Sequence, residues 1–406
     1  MNCRHCGARL QHTFLDLGCS PLSNAYIERE ALDTPETYYP LRVLVCTRCW
    51  LVQTQDFARA DEIFDAQYAY FSSVSQTWLD HAERYCSMAQ RRFDLHRQSF
   101  VVEIGCNDGY LLRNFIAVGI RCLGVEPTAS TATAAERLGI PVRRDFFGSA
   151  LAESLSAQGK ADLVIANNVF AHVPDINDFA RGLRTLLAPA GSVTLEFPHL
   201  LRLIEQCQFD TIYHEHFSYL SLSTVAEIFE TAGLRVYDAE QLSTHGGSLR
   251  VYGCHTSAPF ERSSNVDRVM REEQQFGLGE LAPYTAFQSR ADRIKDDLLA
   301  FLIDAKREGR RVAAYGAAAK GNTLLNYAGV KRDLISYVCD AAPSKQDKFL
   351  PGSRIPVVAP QRLAEDRPDV VLVLPWNLVD EICMQQRQVR DWGGRFAVAI
   401  PQMRVF

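Results

Sequence analysis

The chain has 406 residues, of which 47% are hydrophobic and 22% charged, a composition typical of a soluble protein with roughly two or three globular domains. Its formal net charge of −5 argues against a nucleic-acid partner, because such proteins usually carry a basic face. The sequence has no apolar run long enough to span a membrane, and MNCRHCGARL lacks the apolar core of a secretory signal. We therefore expect a cytoplasmic protein with neither a membrane nor a nucleic-acid partner.

The first predicted element is a metal site built from two C-x-x-C pairs, Cys3 with Cys6 and Cys46 with Cys49. Such pairs are typical of a tetrahedral Zn²⁺ site, and four thiolates leave no open position for catalysis. We predict a structural zinc that closes a small N-terminal domain, residues 1–72. His5 or His12 could replace one cysteine, and buried free cysteines are the alternative interpretation.

The middle of the chain alternates between strand and helix patterns. Apolar residues recur at helical spacing from Ser73 to about Leu95, which predicts a helix. The predicted strands that follow are FVVEI (100–104), IRCLGVE (120–126), IPVRRDFF (140–147), ADLVIANN (161–168) and GSVTLEFP (191–198). A helical pattern separates each strand from the next. This alternation predicts a doubly wound parallel sheet, with its ligand at the carboxyl ends of the strands. We assign this domain residues 73–240.

The loop after the first of these strands indicates the ligand. Glu103, Gly105, Asn107 and Gly109 form E-x-G-x-N-x-G, which does not match the G-x-G-x-x-G of dinucleotide folds. It resembles the first motif of class I S-adenosylmethionine (SAM) methyltransferases, with Asn107 where glycine is usual. Asparagine tolerates left-handed backbone better than most residues, so the loop can still form.

Further cofactor contacts are predicted at the ends of the later strands. Glu126 is positioned to accept hydrogen bonds from the ribose hydroxyls. Asp145 and Phe146 could contact the adenine, and Asn167 and Asn168 could lie near the sulfonium. Each could be an ordinary strand-end residue, but their order along one sheet predicts SAM binding.

A segment rich in histidine and tyrosine follows the fifth strand. This histidine segment, residues 210–221, reads DTIYHEHFSYLS. If it is extended, His214 and His216 share one face and Glu215 lies on the other. The run HEHF does not match the H-E-x-x-H of zinc proteases, which leaves acid/base catalysis or a hydrogen-bonded polar loop.

Four stretches together resemble one family: FDTIYHEHFSYLS, NNVFAHVPD, GGSLRVY and YGAAAKGNTLLNY. With the cysteine pairs, they look like the bacterial sugar-nucleotide C-methyltransferases, which use SAM to methylate TDP-linked and related 4-keto-deoxysugars. The resemblance covers essentially the whole chain. It implies a zinc-binding N-terminal domain, a class I SAM methyltransferase Rossmann-like domain and a C-terminal sugar-nucleotide domain.

The resemblance also implies roles for individual residues. His216 would be the base, with Tyr213 and Glu215 beside it, and His172 would face the reacting sugar. A tyrosine of QYAYFSS, either Tyr68 or Tyr70, would close the pocket. Glu215 could orient an imidazole or could form a structural salt bridge.

The chemistry agrees with this assignment, because methylation at carbon needs a carbanion equivalent. A base acting beside the 4-keto group, at C3 in preference to C5, would form an enolate that attacks the SAM methyl. The alternatives are a SAM-dependent methyltransferase acting on an oxygen or nitrogen of the sugar, and a non-catalytic zinc-containing regulator that binds SAM or a nucleotide sugar.

The last third, residues 241–406, predicts a second Rossmann-like domain. RVAAYGAAAKGNTLLNYAG reads as strand, loop and helix, and the next strand ends at Asp340. The loop from Gly316 to Gly321 could bind a diphosphate with help from Lys320, although its glycine spacing does not match the NAD fingerprint. The substrate-binding residues that we predict, some by the resemblance alone, are His245, Ser248, Arg250, Tyr315, Gly316, Lys320, Asp340 and Lys345. The expected substrate is a TDP-, GDP- or CDP-linked sugar, and we expect a monomer.

Overall fold

Three β-sheets organise the described part of the chain, residues 1–57 and 71–406 of this computed structural model. Tyr68 and Tyr70, predicted to close the pocket, lie outside the described residues.

The N-terminal sheet is antiparallel and contains the strands β1 (His12–Ser20), β2 (Tyr39–Val45) and β3 (Val52–Thr54). The two cysteine pairs lie in turns before β1 and between β2 and β3. Because β2 and β3 pair in register, Val45 opposite Val52, the second cysteine turn is held at the end of a hairpin.

The second sheet has the predicted doubly wound core. Its strands are β4 (Phe100–Ile104), β5 (Arg121–Val125), β6 (Val142–Arg143), β7 (Ala161–Asn167), β8 (Leu187–Pro198), β10 (Leu234–Leu242) and β11 (Ser248–His255). The order across the sheet is β10-β11-β8-β7-β4-β5-β6. Strands β4 to β8 run parallel, and β11 runs antiparallel to both β8 and β10. The short strand β9 (Ser218–Tyr219) joins the N-terminal sheet by pairing with β3.

Helices cover this sheet, the first five of them where the sequence pattern predicted helices. They are α1 (Gln76–Arg92), α2 (Leu112–Ala117), α3 (Ala129–Arg137), α4 (Ser149–Ser156), α5 (Ile176–Leu186), α6 (Leu200–Glu205) and α7 (Leu222–Thr231). Every residue of β4 is buried, as expected for a strand covered on both faces. The sheet continues past residue 240, because β11 bonds to β8. It thus includes residues that the sequence interpretation gave to the C-terminal domain.

The C-terminal unit is the second Rossmann-like sheet that the sequence predicts. The helices α8 (Ser264–Phe276), α9 (Ala282–Thr285) and α10 (Phe287–Arg307) lead into it. Its elements are β12 (Val312–Tyr315), α11 (Ala319–Tyr327), β13 (Val338–Cys339), β14 (Val357–Val358), α12 (Arg362–Asp366), β15 (Val370–Val373), α13 (Val379–Gln385), β16 (Arg395–Val398) and β17 (Arg404–Val405). The order is β14-β13-β12-β15-β16-β17, and all pairs are parallel except β16 with β17.

The N-terminal sheet packs against both larger units. Phe14 of β1 stacks on Phe287 of α10 at 4.4 Å between ring centroids, within a core shared with the C-terminal sheet. The cysteine turns belong to a different core, where Cys3 and Cys49 pack with Val225 of α7. Within the described residues, no helix combines the length and apolar character needed to cross a membrane.

Candidate active site

The four predicted cysteines come together at one point. The Sγ atoms of Cys3 and Cys49 are 3.5 Å apart, as are those of Cys6 and Cys46, and all four lie within 4.8 Å of one another. Four thiolates about 2.3 Å from a tetrahedral zinc lie roughly 3.8 Å apart, so the group fits zinc. His5 lies outside this group, with its Nδ1 at 2.8 Å from Asn177 Oδ1 and its Nε2 at 3.6 Å from Glu227 Oε1.

The loop after β4 has the conformation that its glycines and asparagine allow. This cofactor loop, residues 105–109, has left-handed φ angles at Gly105 (66°), Asn107 (50°) and Gly109 (79°). The Asn107 backbone N–H donates to Glu126 Oε2 at 2.9 Å, so the predicted ribose-binding carboxylate also fixes the loop. A Cβ at Gly105 would lie 2.5 Å from Val169 Cγ2, which explains why glycine stands there.

Polar atoms converge beside the cofactor loop without protein partners. Within the described residues, the buried atoms without a hydrogen bond include Glu103 Oε2, Asp108 Oδ1, Asn167 Oδ1 and Asn168 Nδ2. Burial raises the pKa of Glu103 well above its ordinary value. Phe146 follows β6 at the same edge and is 49% exposed; Asp145 beside it is also exposed. Unsatisfied buried polar groups of this kind fit a ligand with amino, carboxylate and hydroxyl groups, as SAM has.

The two histidines lie in a turn within the histidine segment, so the prediction that His214 and His216 share a face is wrong. The His216 N–H donates to the Tyr213 carbonyl at 3.0 Å, which closes the turn. His214 points toward the N-terminal sheet, where its Nε2 lies 3.3 Å from the Pro40 carbonyl oxygen. His216 points the other way, toward His172, with 4.6 Å between ring centroids.

The contacts of His216 define its protonation state. Its Nδ1 lies 2.7 Å from the Thr211 carbonyl oxygen, which can only accept, so Nδ1 carries the proton and Nε2 has a free lone pair. Burial, helped by the neighbouring His172, lowers the pKa of His216 well below its ordinary value. The Tyr213 ring lies 4.1 Å from the imidazole. His216 is therefore neutral near pH 7 and can accept a proton at Nε2.

Glu215 supports the turn. Its Oε1 accepts a hydrogen bond of 2.5 Å from Asn24 Nδ2. The imidazole of His216 is oriented by the Thr211 carbonyl. Both roles predicted for Glu215, orientation of an imidazole and a structural salt bridge, stay predictions.

The C-terminal unit contributes a cation, Lys320, near His216. Lys320 Nζ donates to Asn377 Oδ1 at 3.2 Å and lies 4.9 Å from the centroid of a Trp376 ring. Trp376 Nε1 in turn donates to Asp210 Oδ2 at 2.8 Å. Burial raises the pKa of Asp210 to about 6 and lowers the pKa of Lys320. The charge of Lys320 lowers the pKa of His216 further.

Sequence reasoning missed several of these contributors. It gave no individual role to Asp210, and none to the network of His81 and Glu196, whose side chains meet at 3.0 Å. It placed Trp376 and Asn377 only in the strand-end loop LPWN, which it expected to shape the nucleotide pocket. The signals available were this loop and the position of Asp210 inside the histidine segment. The others come from separate elements that only the tertiary fold joins.

The predicted residues of β11 and the preceding loop divide into two groups. His245 has a left-handed φ of 53° and lies 5.1 Å from the Trp78 ring, and burial lowers its pKa to about 4. Ser248 donates to the Thr244 carbonyl, and Arg250 pairs with Glu196 at 2.8 Å. These contacts are made within the protein, and substrate binding by Ser248 and Arg250 stays a prediction.

The predicted diphosphate loop is tied down by its neighbours. Asp340 accepts hydrogen bonds from the backbone N–H groups of Ala317 and Ala342, at 2.7 and 2.8 Å. Lys345 Nζ donates to the Ala317 carbonyl at 2.9 Å. A Cβ at Gly316 would lie 2.3 Å from Pro375 Cδ, and Tyr315 is buried in the C-terminal core. The loop is thus rigid, and diphosphate binding there stays a prediction.

Comparisons with known proteins agree with this architecture. Family models match a zinc binding domain at residues 3–64, a methyltransferase domain at 78–239 and a C-methyltransferase C-terminal domain at 243–401. The C-methyltransferase NovU of Streptomyces niveus is 35% identical over 404 residues, which span 99% of this chain and 96% of that protein. The chain belongs to this C-methyltransferase family.

The family membership confirms the predicted SAM dependence and the N-terminal zinc site of this C-methyltransferase. The ubiquinone biosynthesis O-methyltransferase of Rhodopseudomonas palustris is 26% identical over 159 residues, 32% of this chain and 61% of its own length. The 1,6-didemethyltoxoflavin-N1-methyltransferase of Burkholderia thailandensis aligns with a TM-score of 0.38 and 16% identity, covering 51% of this chain and 96% of that one.

Proposed function

We propose that the enzyme methylates the carbon beside the ketone, C3 in preference to C5, of a nucleotide-linked 4-keto-6-deoxysugar. The observation that carries the proposal is the hydrogen bond from His216 Nδ1 to the Thr211 carbonyl. It leaves Nε2 as a lone-pair acceptor on a neutral imidazole, which is what abstraction of a proton from carbon requires.

The residues around His216 suit that step. When bound, SAM supplies an electrophilic methyl group. His216 takes the proton from the ring carbon, while Tyr213 and His172, whose rings lie 4.1 and 4.6 Å from the imidazole, are close enough to contact the sugar. Holding the sugar against the cofactor loop supplies much of the rate, because both reactants are then oriented.

A nucleotide-linked substrate is supported by the C-terminal unit and by the family resemblance of the sequence. The unit has the strand, loop and helix arrangement that binds nucleotides in other folds. Its helix α11 contacts the histidine segment through Thr323, which donates to the Ile212 carbonyl at 3.0 Å. Lys345 adds a cation beside the Ala317 carbonyl.

The test is hydrogen exchange at the sugar carbon. Wild-type enzyme is incubated in D₂O with S-adenosylhomocysteine in place of SAM and with TDP-, GDP- or CDP-linked 4-keto-6-deoxysugars in turn. One of these sugars should gain deuterium beside the ketone, and with SAM it should gain one methyl group at that carbon. His216→Ala should lower both rates by about 10²–10⁴-fold while SAM binding persists.

His214→Asn is the matched control, because His214 belongs to the same turn but faces the N-terminal sheet. It should exchange and methylate at nearly the wild-type rate. Full turnover by His216→Ala would reject the assigned base. Methyl transfer to a sugar oxygen or nitrogen, without loss of a ring proton, would favour the alternative reaction.

A further inference from the structure

Lys320 is a partly buried cation without a carboxylate partner among the described residues. Within the described residues its ammonium donates one hydrogen bond, to the neutral amide oxygen of Asn377 at 3.2 Å, and lies 4.9 Å from the centroid of the Trp376 ring. Among the described residues, no Asp or Glu oxygen lies within 4.0 Å of Lys320 Nζ, the limit for an ion pair. The Asp210 carboxylate acts on this charge from beyond ion-pair distance, so the ammonium keeps N–H donors for a substrate oxygen that gains negative charge during the reaction.

Trp376 holds the Lys320 ammonium near His216, the proposed base. One edge of its indole donates to Asp210, which begins the histidine segment. The other edge packs on Gly246, where an added Cβ would lie 2.2 Å from Trp376 Cη2, next to His245. The charge of Lys320 accordingly lowers the pKa of both His216 and His245.

We propose that Lys320 Nζ holds the ketone oxygen of the sugar and stabilises the enolate, an inference that rests on the proposed function. As His216 Nε2 forms its bond to the proton, the carbon–hydrogen bond breaks. Its electron pair becomes the carbon–carbon double bond, and the carbonyl π pair moves to oxygen. The ammonium thus faces a neutral oxygen in the substrate and an anion in the transition state, the difference that lowers a barrier.

This role differs from the diphosphate contact expected from the sequence. A diphosphate at Lys320 Nζ would bring phosphate groups to the place beside His216 that the reacting ketone needs. The other lysine that the sequence predicts for substrate binding is Lys345, which reaches the Ala317 carbonyl in the loop before α11 and lies 3.8 Å from Asp340 Oδ2.

The test compares Lys320→Met, Lys320→Arg and wild type in three measurements. The first is deuterium exchange with S-adenosylhomocysteine, the second is kcat and KM for methyl transfer, and the third is the Kd of TDP, GDP and CDP without sugar. Lys320→Met should slow exchange and kcat by about 10²–10³-fold, as loss of an oxyanion-stabilising donor does. Lys320→Arg should recover part of that loss.

The nucleoside diphosphates should bind Lys320→Met about as tightly as wild type. Methionine has similar length and removes an unpaired charge, so the variant should fold and its Tm should not fall. Lys331→Met is the control, because its ammonium contacts the Gly352 carbonyl outside the catalytic cluster. It should keep the wild-type exchange rate.

Three outcomes are decisive. Weaker nucleoside diphosphate binding by Lys320→Met with an unchanged kcat would overturn the inference and assign Lys320 to the diphosphate. Normal exchange by that variant would also overturn it. No exchange by wild type with any of the sugars would reject the proposed function itself, and this inference with it.

Discussion

At the scale of single residues, one backbone carbonyl determines which ring nitrogen of His216 can accept a proton. Thr211 accepts from Nδ1, and the turn that begins at Tyr213 separates His216 from His214, its near neighbour in sequence. Two histidines two positions apart thus have different surroundings. Sequence spacing alone assumed an extended segment and put them on one face, whereas the N–H bond from His216 to Tyr213 makes a turn.

The same surroundings predict the pH dependence of the reaction. A base works only when unprotonated, so activity is lost as the pH falls through its pKa. Burial and the neighbouring His172 hold the pKa of His216 well below 6.5, so the acid limb of kcat/KM should lie below pH 6.5. Methyl transfer measured by mass spectrometry between about pH 5 and 8 checks this.

Loss of the fold must be separated from loss of the base. A buried histidine with a lowered pKa contributes stability that is present above its unfolded pKa and is lost as the pH falls. The urea midpoint should therefore be measured over the same pH range. An acid limb at or above pH 6.5 in a fully folded enzyme would contradict the assignment of His216.

At the scale of elements, the zinc site acts on the catalytic segment through a hairpin. β3 follows the second cysteine turn and pairs with β9, which lies two residues after His216. Thr54 at the end of β3 donates to the His216 carbonyl at 2.5 Å. A metal held by the four cysteines would therefore stabilise the position of the proposed base from a distance.

Cys49→Ser tests this connection. It should lose zinc, lower Tm by roughly 5–10 °C and reduce kcat, because β3 is no longer fixed by the metal. Cys19→Ser is the control, since Cys19 is an exposed cysteine of β1 outside the metal group. Zinc content, Tm and methyl transfer are measured for both. A Cys49→Ser enzyme with normal zinc and Tm would remove this cysteine from the ligand set.

The sequence predicted those features that depend only on residues close together in the chain. The cysteine pairs, the glycines around Asn107 and the alternation of strands and helices belong to this class. The pairing of β9 with β3 and the return of β11 beside β8 depend on long-range hydrogen bonds, which period and spacing do not encode. For the same reason Trp376 and Asp210, far apart in sequence, could not be joined before the fold was known.

At the scale of the whole molecule, the histidine segment is the place where all three sheets meet. Thr54 reaches it from the N-terminal sheet and Thr323 from the C-terminal unit. His199, at the start of α6, pairs with Leu220 as a β-bridge. Contacts from three sides hold the proposed catalytic segment, so its position depends on how the three units dock.

Trp376→Phe tests that coupling. It keeps most of the packing on Gly246 but removes the N–H that bonds Asp210, a loss of about 1–3 kcal/mol because the carboxylate stays buried. Trp392→Phe is the control, since its N–H bonds the Pro368 carbonyl within the C-terminal unit. Both should lower Tm by a few degrees, but only Trp376→Phe should also reduce kcat.

In a double-mutant cycle the effects of Trp376→Phe and Asp210→Asn on kcat should not add, because both variants break the same hydrogen bond. Additive effects would mean that the indole and the carboxylate act independently, and that the C-terminal unit does not position the histidine segment through them.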